Sequence, residues 1–96
     1  MSLAIHRAFF AERETIGSRL HSARLASNLT LIDVSERTKI SLRHLEAIES
    51  DNFSSLPGRV YVFGFTKAFA QVVGVDSESV VSALRDSFDA RAGFAA

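Results

Sequence analysis

The sequence contains no cysteine and no tryptophan, a single proline, and no excess charge of either sign. Without cysteine there is no disulfide, no thiolate metal ligand and no cysteine nucleophile, a usage that fits a reducing compartment. Eleven Lys and Arg are balanced by eleven Asp and Glu, so no global positive field draws the chain onto nucleic acid or anionic lipid. The longest apolar runs, such as Val60 to Phe63, fall far short of the roughly 20 residues that span a bilayer. Met1 to Ala11 lacks the apolar segment and cleavage site of a signal peptide. These absences predict a soluble, cytoplasmic segment that makes no membrane contact itself.

What is present is an ordinary globular mixture, 47% hydrophobic and 23% charged, on a chain long enough for one core and too short for two. Ser, Thr or Asp repeatedly precede apolar residues spaced three and four apart, which predicts an all-α domain of five helices. Thr15 caps a first helix, Ile16 to about Ser27, with Ile16, Leu20 and Ala23 inward and Asn28 as its stop. Thr30 caps a second, Leu31 to Thr38, where Asp33 supplies the reciprocal carboxylate of a capping box and Leu31 and Val34 face inward. After a turn at Lys39-Ile40, Ser41 caps a third, Leu42 to about Ser50, with Leu42, Leu45 and Ile48 inward. Two short capped helices so closely joined are a helix-turn-helix signature.

Asp51 to Gly58 reads as a loop plugged into the core by Phe53 and Leu56. A fourth helix, Arg59 to Val73, stops at Gly74, and Asp76 caps a fifth, Ser77 to about Ala90, with Val80, Val81, Leu84 and Phe88 inward. Residues 1–14 read as an N-terminal arm or extra helix, with Met1-Ser2-Leu3 resembling a cloning remnant. The main domain spans 15–90, 91–96 form a frayed tail, and the whole reads as a piece of a longer protein.

No catalytic constellation is visible. The Ser residues lie in no nucleophile elbow, the glycines form no phosphate-cradling loop, and Glu46 and Glu49, three apart, read as a solvated helix face or a helix-capping partner rather than an acid/base pair. His6, His21 and His44 are scattered without metal-ligand spacing. The expectation is a protein that is no enzyme and takes no metal or cofactor.

The run Leu31-x-x-Val34-Ser35-x-x-Thr38-Lys39-Ile40-Ser41-x-x-x-Leu45-x-x-Ile48-Glu49 resembles the helix-turn-helix of Xre and Cro repressors, a lambda-repressor-like fold. The second half of the chain carries a narrower likeness. Leu56-Pro57-Gly58-Arg59-Val60-Tyr61-x-x-Gly64-Phe65-x-Lys67-x-Phe69-Ala70, then Val73-Gly74-Val75-Asp76, resembles the N-terminal cytoplasmic domain of the RodZ family, and the likeness covers roughly Ile16 to Phe88. The resemblance implies a bitopic inner-membrane protein whose cytoplasmic domain ties the bacterial actin MreB to the machinery of wall elongation. It also implies that the fourth helix docks on MreB through its aromatics. The matching positions are Tyr61 and Phe65, with Arg59 and Lys67 as polar neighbours. Position 63 is often basic in the family and is Phe63 here, which exchanges an electrostatic contact for apolar surface.

The residues themselves lean the same way. On a helical wheel the apolar residues of the fourth helix, from Ala68 to Val73, fill an arc of about 140°, more than one core stripe needs. Tyr61 stands at one edge of that arc and Phe63 outside it. Exposed aromatics beside a cation suit a protein interface, although for Phe65 and Phe69 a core position remains the competing reading. A DNA-binding alternative would use Ser41, Arg43 and His44 at the start of the third helix, with Lys39 nearby. Glu46, Glu49 and Asp51 come after them and oppose phosphate contact. A third possibility is self-association through Phe9, Phe10 and Phe94. Full burial of Tyr61 and Phe63 would contradict the helix-four interface, and a basic stripe around Arg43 would favour DNA.

Overall fold

The computed structural model describes residues 14–95, with side chains to residue 90. The expectations for the N-terminal arm, including Phe9 and Phe10, and for the Phe94 side chain lie outside the described residues. Within the described residues five helices succeed one another: α1 (Ile16–Ala26), α2 (Leu31–Thr38), α3 (Leu42–Glu49), α4 (Arg59–Val73) and α5 (Ser77–Ala95), with a 3-10 turn at Phe53–Ser55 before α4. No strand occurs among the described residues.

The starts of the helices are fixed by side chains that satisfy backbone donors left without an intrahelical partner. Thr15 Oγ1 accepts from Ser18 N at 3.1 Å while Ser18 Oγ accepts from Thr15 N at 2.8 Å. Thr30 and Asp33 make the same reciprocal pair at 3.0 and 2.9 Å, and the N–H and hydroxyl of Thr30 hold the Asp33 carboxyl below its ordinary pKa. The ends are turned by left-handed residues, Lys39 after α2 and Gly74 after α4. In the turn between α2 and α3, Ser35 Oγ donates to the Ile40 carbonyl at 2.6 Å and Thr38 Oγ1 accepts from Ile40 N at 3.2 Å. Asp76 meets the start of α5 through its backbone carbonyl, which accepts from Val80 N.

Helix α5 is longer than the periodicity suggested and stays helical through residues 91–95, the stretch expected to be a tail. Ala90, Ala92 and Ala95 are strong helix formers and favour continuation of the helix.

The core gathers Leu20, Val34, Leu45, Ile48, Phe69, Val80 and Leu84, all essentially inaccessible, each large side chain contributing about 2 kcal/mol of burial. Helix α4 is the central strut and touches all four other helices. Leu42, expected inward, is instead exposed, and the buried stripe of α3 begins at Leu45.

Helix α1 crosses the end of α3 at backbone distance. A Cβ on Gly17 would lie 2.5 Å from the carbonyl oxygens of both Ile48 and Glu49, so only glycine permits the crossing. Asp51, just past α3 and in a left-handed conformation, reaches back to cap α1. Its carboxylate accepts from Gly17 N at 2.8 Å and from Thr15 Oγ1 at 2.5 Å, placing negative charge at the positive end of the α1 dipole. Deeper in α4, Thr66 is fully buried, and its hydroxyl has no hydrogen-bond partner among the described residues.

These contacts set the sign of two substitutions. Gly17→Ala forces α1 away from α3 and should cost about 2 kcal/mol or more in urea unfolding. Thr66→Val removes an unsatisfied buried hydroxyl and should stabilise by about 1 kcal/mol in the same assay; a loss would mean that the hydroxyl has a partner.

Candidate protein-binding face

Helix α4 exposes one side along its whole length because its core residues, Val62, Thr66, Phe69, Ala70 and Val73, recur at helical spacing and leave the opposite face uncovered. Tyr61 is 48% exposed and Val60 75% exposed, so the condition that would have contradicted a helix-four interface is not met. Phe69 is wholly buried and belongs to the core. Phe65 is half-buried and lies between the core and the exposed face.

The five residues singled out on α4 do not form one cluster. Tyr61 and Phe65 form an aromatic pair with ring centroids 5.4 Å apart. Phe65 in turn packs on His44 of α3, again at 5.4 Å and with the planes tilted by only 30°. Arg59 and Phe63 point to the other side, toward α5. There Phe63 meets Phe88 at 5.6 Å, with Arg59 over Phe63 and Phe88 at 5.7 and 5.0 Å and Arg85 over Phe63 at 5.8 Å. Arg59 also approaches Asp89 at 3.7 Å. Lys67 lies on this side as well, in a cleft shared with Ser77, Glu78 and Arg85.

Phe63, expected in solvent because it falls outside the apolar arc, is therefore half-buried. Helix α5 packs along that edge of α4 and brings Phe88 and Arg85 over the ring. The wheel treats α4 alone and could not anticipate this cover. Val60 was missed for the opposite reason. It too lies outside the arc, and an apolar residue there, with no neighbour to cover it, was the available signal.

Of the four residues considered for DNA, Ser41 and His44 have side-chain partners within the domain, while the side chains of Lys39 and Arg43 are exposed. Ser41 Oγ caps α3 by accepting from His44 N at 3.4 Å, Lys39 forms the left-handed turn, and His44 is stacked on Phe65. Arg43 is exposed, beside exposed Leu42 and Glu46, and no ion pair holds it among the described residues. Arg37 at the end of α2 and Lys39 in the turn are exposed as well.

Glu49 is not the solvated carboxylate the spacing suggested. Arg24 of α1, itself buried, donates to Glu49 Oε2 from Nε at 2.6 Å and to the Leu29 carbonyl from Nη1 at 2.9 Å. His21 Nδ1 lies 2.9 Å from Glu49 Oε1 and 3.2 Å from Arg24 Nη2. Burial raises the Glu49 carboxyl, but the hydrogen bonds and charges of Arg24 and His21 outweigh it and hold the pKa below its ordinary value. The signal available in the sequence was Arg24 itself, a cation among the apolar positions of α1. With His21 and His44 both engaged, no three His, Cys, Asp or Glu side chains converge among the described residues to hold a metal ion.

A sequence profile of the helix-turn-helix domain matches residues 19–80. The Streptococcus pneumoniae cytoskeleton protein RodZ is 38% identical over 71 residues, which are 74% of this chain and 26% of that protein. The chain is a helix-turn-helix domain of the RodZ family. The Bacillus subtilis membrane protein YmfM is also 38% identical, over 54% of this chain and 18% of its own length. The alignments thus span only about a quarter or less of these relatives. A solved structure of Staphylococcus aureus YmfM, a membrane protein suggested to bind DNA, superposes with a TM-score of 0.71 at 32% identity, covering 76% of this chain and 89% of that one.

Within this RodZ-family domain, no helix among the described residues is long and apolar enough to cross a membrane. The lambda-repressor-like core is retained, and its third helix is tied by Glu49 to α1 and by His44 to α4. The lowered Glu49 pKa gives the first of these ties a pH signature. A carboxyl that titrates lower in the folded than in the unfolded chain, where about 4.3 is usual, contributes fully above that value and loses its contribution as pH falls through the folded pKa. Glu49→Gln should cost about 2 kcal/mol at pH 7, and the gap in melting temperature from wild type should shrink between pH 5 and pH 3. A gap independent of pH would show that the charge on Glu49 is not what holds α1.

Proposed function

We propose that this domain is a non-enzymatic cytoskeletal adaptor, the cytoplasmic head of a RodZ-like membrane-anchored protein, and that it binds the bacterial actin MreB through α4. The observation that carries this reading is the exposed apolar face of α4, with Tyr61 and Val60 in solvent and Phe65 stacked behind Tyr61. Large apolar side chains exposed on a folded surface suit protein contact, and an aromatic braced by a second ring is held ready for it at little entropic cost. The similarity to a RodZ described as a cytoskeleton protein supports the same partner class.

The division of α4 into two sides supports different roles for the five α4 residues. Tyr61 is the direct anchor and Phe65 its support. Lys67, on the α5 side of the exposed face, borders it at the rim, where a cation assists encounter more than affinity. Arg59 and Phe63 act mainly within the domain by fastening α5 to α4. Cytoplasmic placement, the membrane anchor and a part in rod shape and wall elongation belong to the same proposal.

Sequence-specific DNA binding is the second reading, favoured by the exposed Arg43 and by the similarity to the Staphylococcus aureus protein. Against it stand Leu42 and Glu46 on the exposed side of α3 and the engagement of His44 with Phe65. Co-sedimentation with MreB filaments, run beside a gel shift on duplex DNA at physiological salt, separates the two. The double variant Tyr61→Ala, Phe65→Ala should reduce pelleting at least tenfold while circular dichroism shows an unchanged helical content. Salt-resistant, sequence-selective DNA binding without pelleting would overturn the adaptor reading.

A further inference from the structure

We infer that Gly64 is the point of closest approach between α4 and its protein partner, a notch into which an apolar side chain of that partner seats against the helix backbone. The inference rests on the α4 reading above and specifies which atoms meet.

Gly17 and Gly74 are each required by the chain itself. Gly17 would drive a Cβ into two carbonyls at 2.5 Å, and Gly74 takes a left-handed conformation with φ of 80°. Gly64 answers to neither need. It lies well inside the fifteen-residue α4, is absent from the positive-φ positions, is exposed, and a Cβ built on it meets nothing within 4 Å. Glycine is the poorest helix former after proline, because it fixes the most backbone freedom and buries nothing. The domain therefore bears a cost at position 64 that no contact among its described residues offsets.

The surroundings indicate what would offset it. Side chains three and four positions away on a helix flank the same spot. Around Gly64 these are Val60 and Tyr61 on the preceding turn and Lys67 and Ala68 on the following one. Val60, 75% exposed, and Tyr61 wall one end of the gap, and small Ala68 leaves the other end low. The gap is walled by apolar side chains over the helix backbone, and its edge toward α5 carries Lys67, which has no ion pair among the described residues and borders the cleft that also holds Glu78 and Arg85. That chemistry suits a protein presenting an apolar ridge beside a carboxylate. It suits nucleic acid poorly, since Lys67 and Arg85 are accompanied there by the Glu78 carboxylate and apolar walls, which together give little phosphate neutralisation. The notch also adjoins the Tyr61–Phe65 pair, so one occupant covers both.

The test combines Gly64→Ala, Val60→Ala and Tyr61→Ala, each measured by thermal unfolding, by co-sedimentation with polymerised MreB and by sedimentation velocity of the domain alone. Gly64→Ala should melt a few degrees higher than wild type, as a better helix former in open space, yet bind at least tenfold more weakly. A variant that is more stable and binds worse cannot owe its defect to misfolding. Val60→Ala removes a side chain that is mostly in solvent and should weaken binding with little change in melting. If Gly64→Ala and Val60→Ala bind as wild type while Tyr61→Ala does not, the notch is refuted and the α4 face stands. If all three bind as wild type, the α4 reading itself fails. Dimerisation of the wild-type domain that Gly64→Ala abolishes would assign the glycine to self-association and overturn the proposal.

Discussion

The architecture depends on the seam where α1 meets the end of α3. Three contacts of different kinds converge there: the backbone approach that Gly17 permits, the Asp51 carboxylate that caps α1, and the Arg24–Glu49 pair with His21 beside it. Each would be costly alone. A left-handed aspartate strains the backbone, and a buried guanidinium needs its charge matched. Together they satisfy one another, since the close approach brings Arg24 within reach of Glu49 and the tightened end of α3 directs Asp51 back to α1. A seam of this kind sets the height of α1 against the helix-turn-helix and leaves α4 to serve as the central strut.

The same seam bears on function. In a repressor the recognition helix must present a free polar face to base edges. Here its last turn is held to α1 by Glu49, and its first turn is held to α4 by the stacking of His44 on Phe65. The residue that joins the two candidate surfaces is thus His44. His44 on α3 packs on Phe65 of α4, so the surface considered for DNA and the surface considered for protein meet at this ring pair.

Much of the fold was legible because its signals are local. The Thr15, Thr30 and Ser41 caps, the Asp33 capping box, the stop at Gly74 and the limits of α2 and α4 depend on neighbours within four residues, and periodicity reads such neighbours well. The misreadings of side-chain environment on α1, α3 and α4 mostly involve contacts distant in sequence. Glu49 looked solvated because its partner Arg24 lies twenty-five residues away. Phe63 looked exposed because its cover comes from Phe88 and Arg85 on α5. Gly17 carried no visible role, since the carbonyls it meets belong to α3. The aromatics of α4 were found by residue type, but their division between two sides of the helix required the positions of α3 and α5.

If the exposed side of α4, and not the start of α3, is where this domain meets its partner, the contact should be visible residue by residue. The decisive experiment is a titration of isotope-labelled domain with MreB, read through the loss of backbone amide signals. Docking on α4 predicts that attenuation concentrates on residues 60–68 and extends to His44 through Phe65, while α1 and the far side of α5 keep their intensity. Attenuation centred on residues 39–43 with α4 unaffected, or the same map produced by duplex DNA in place of the filament, would contradict it.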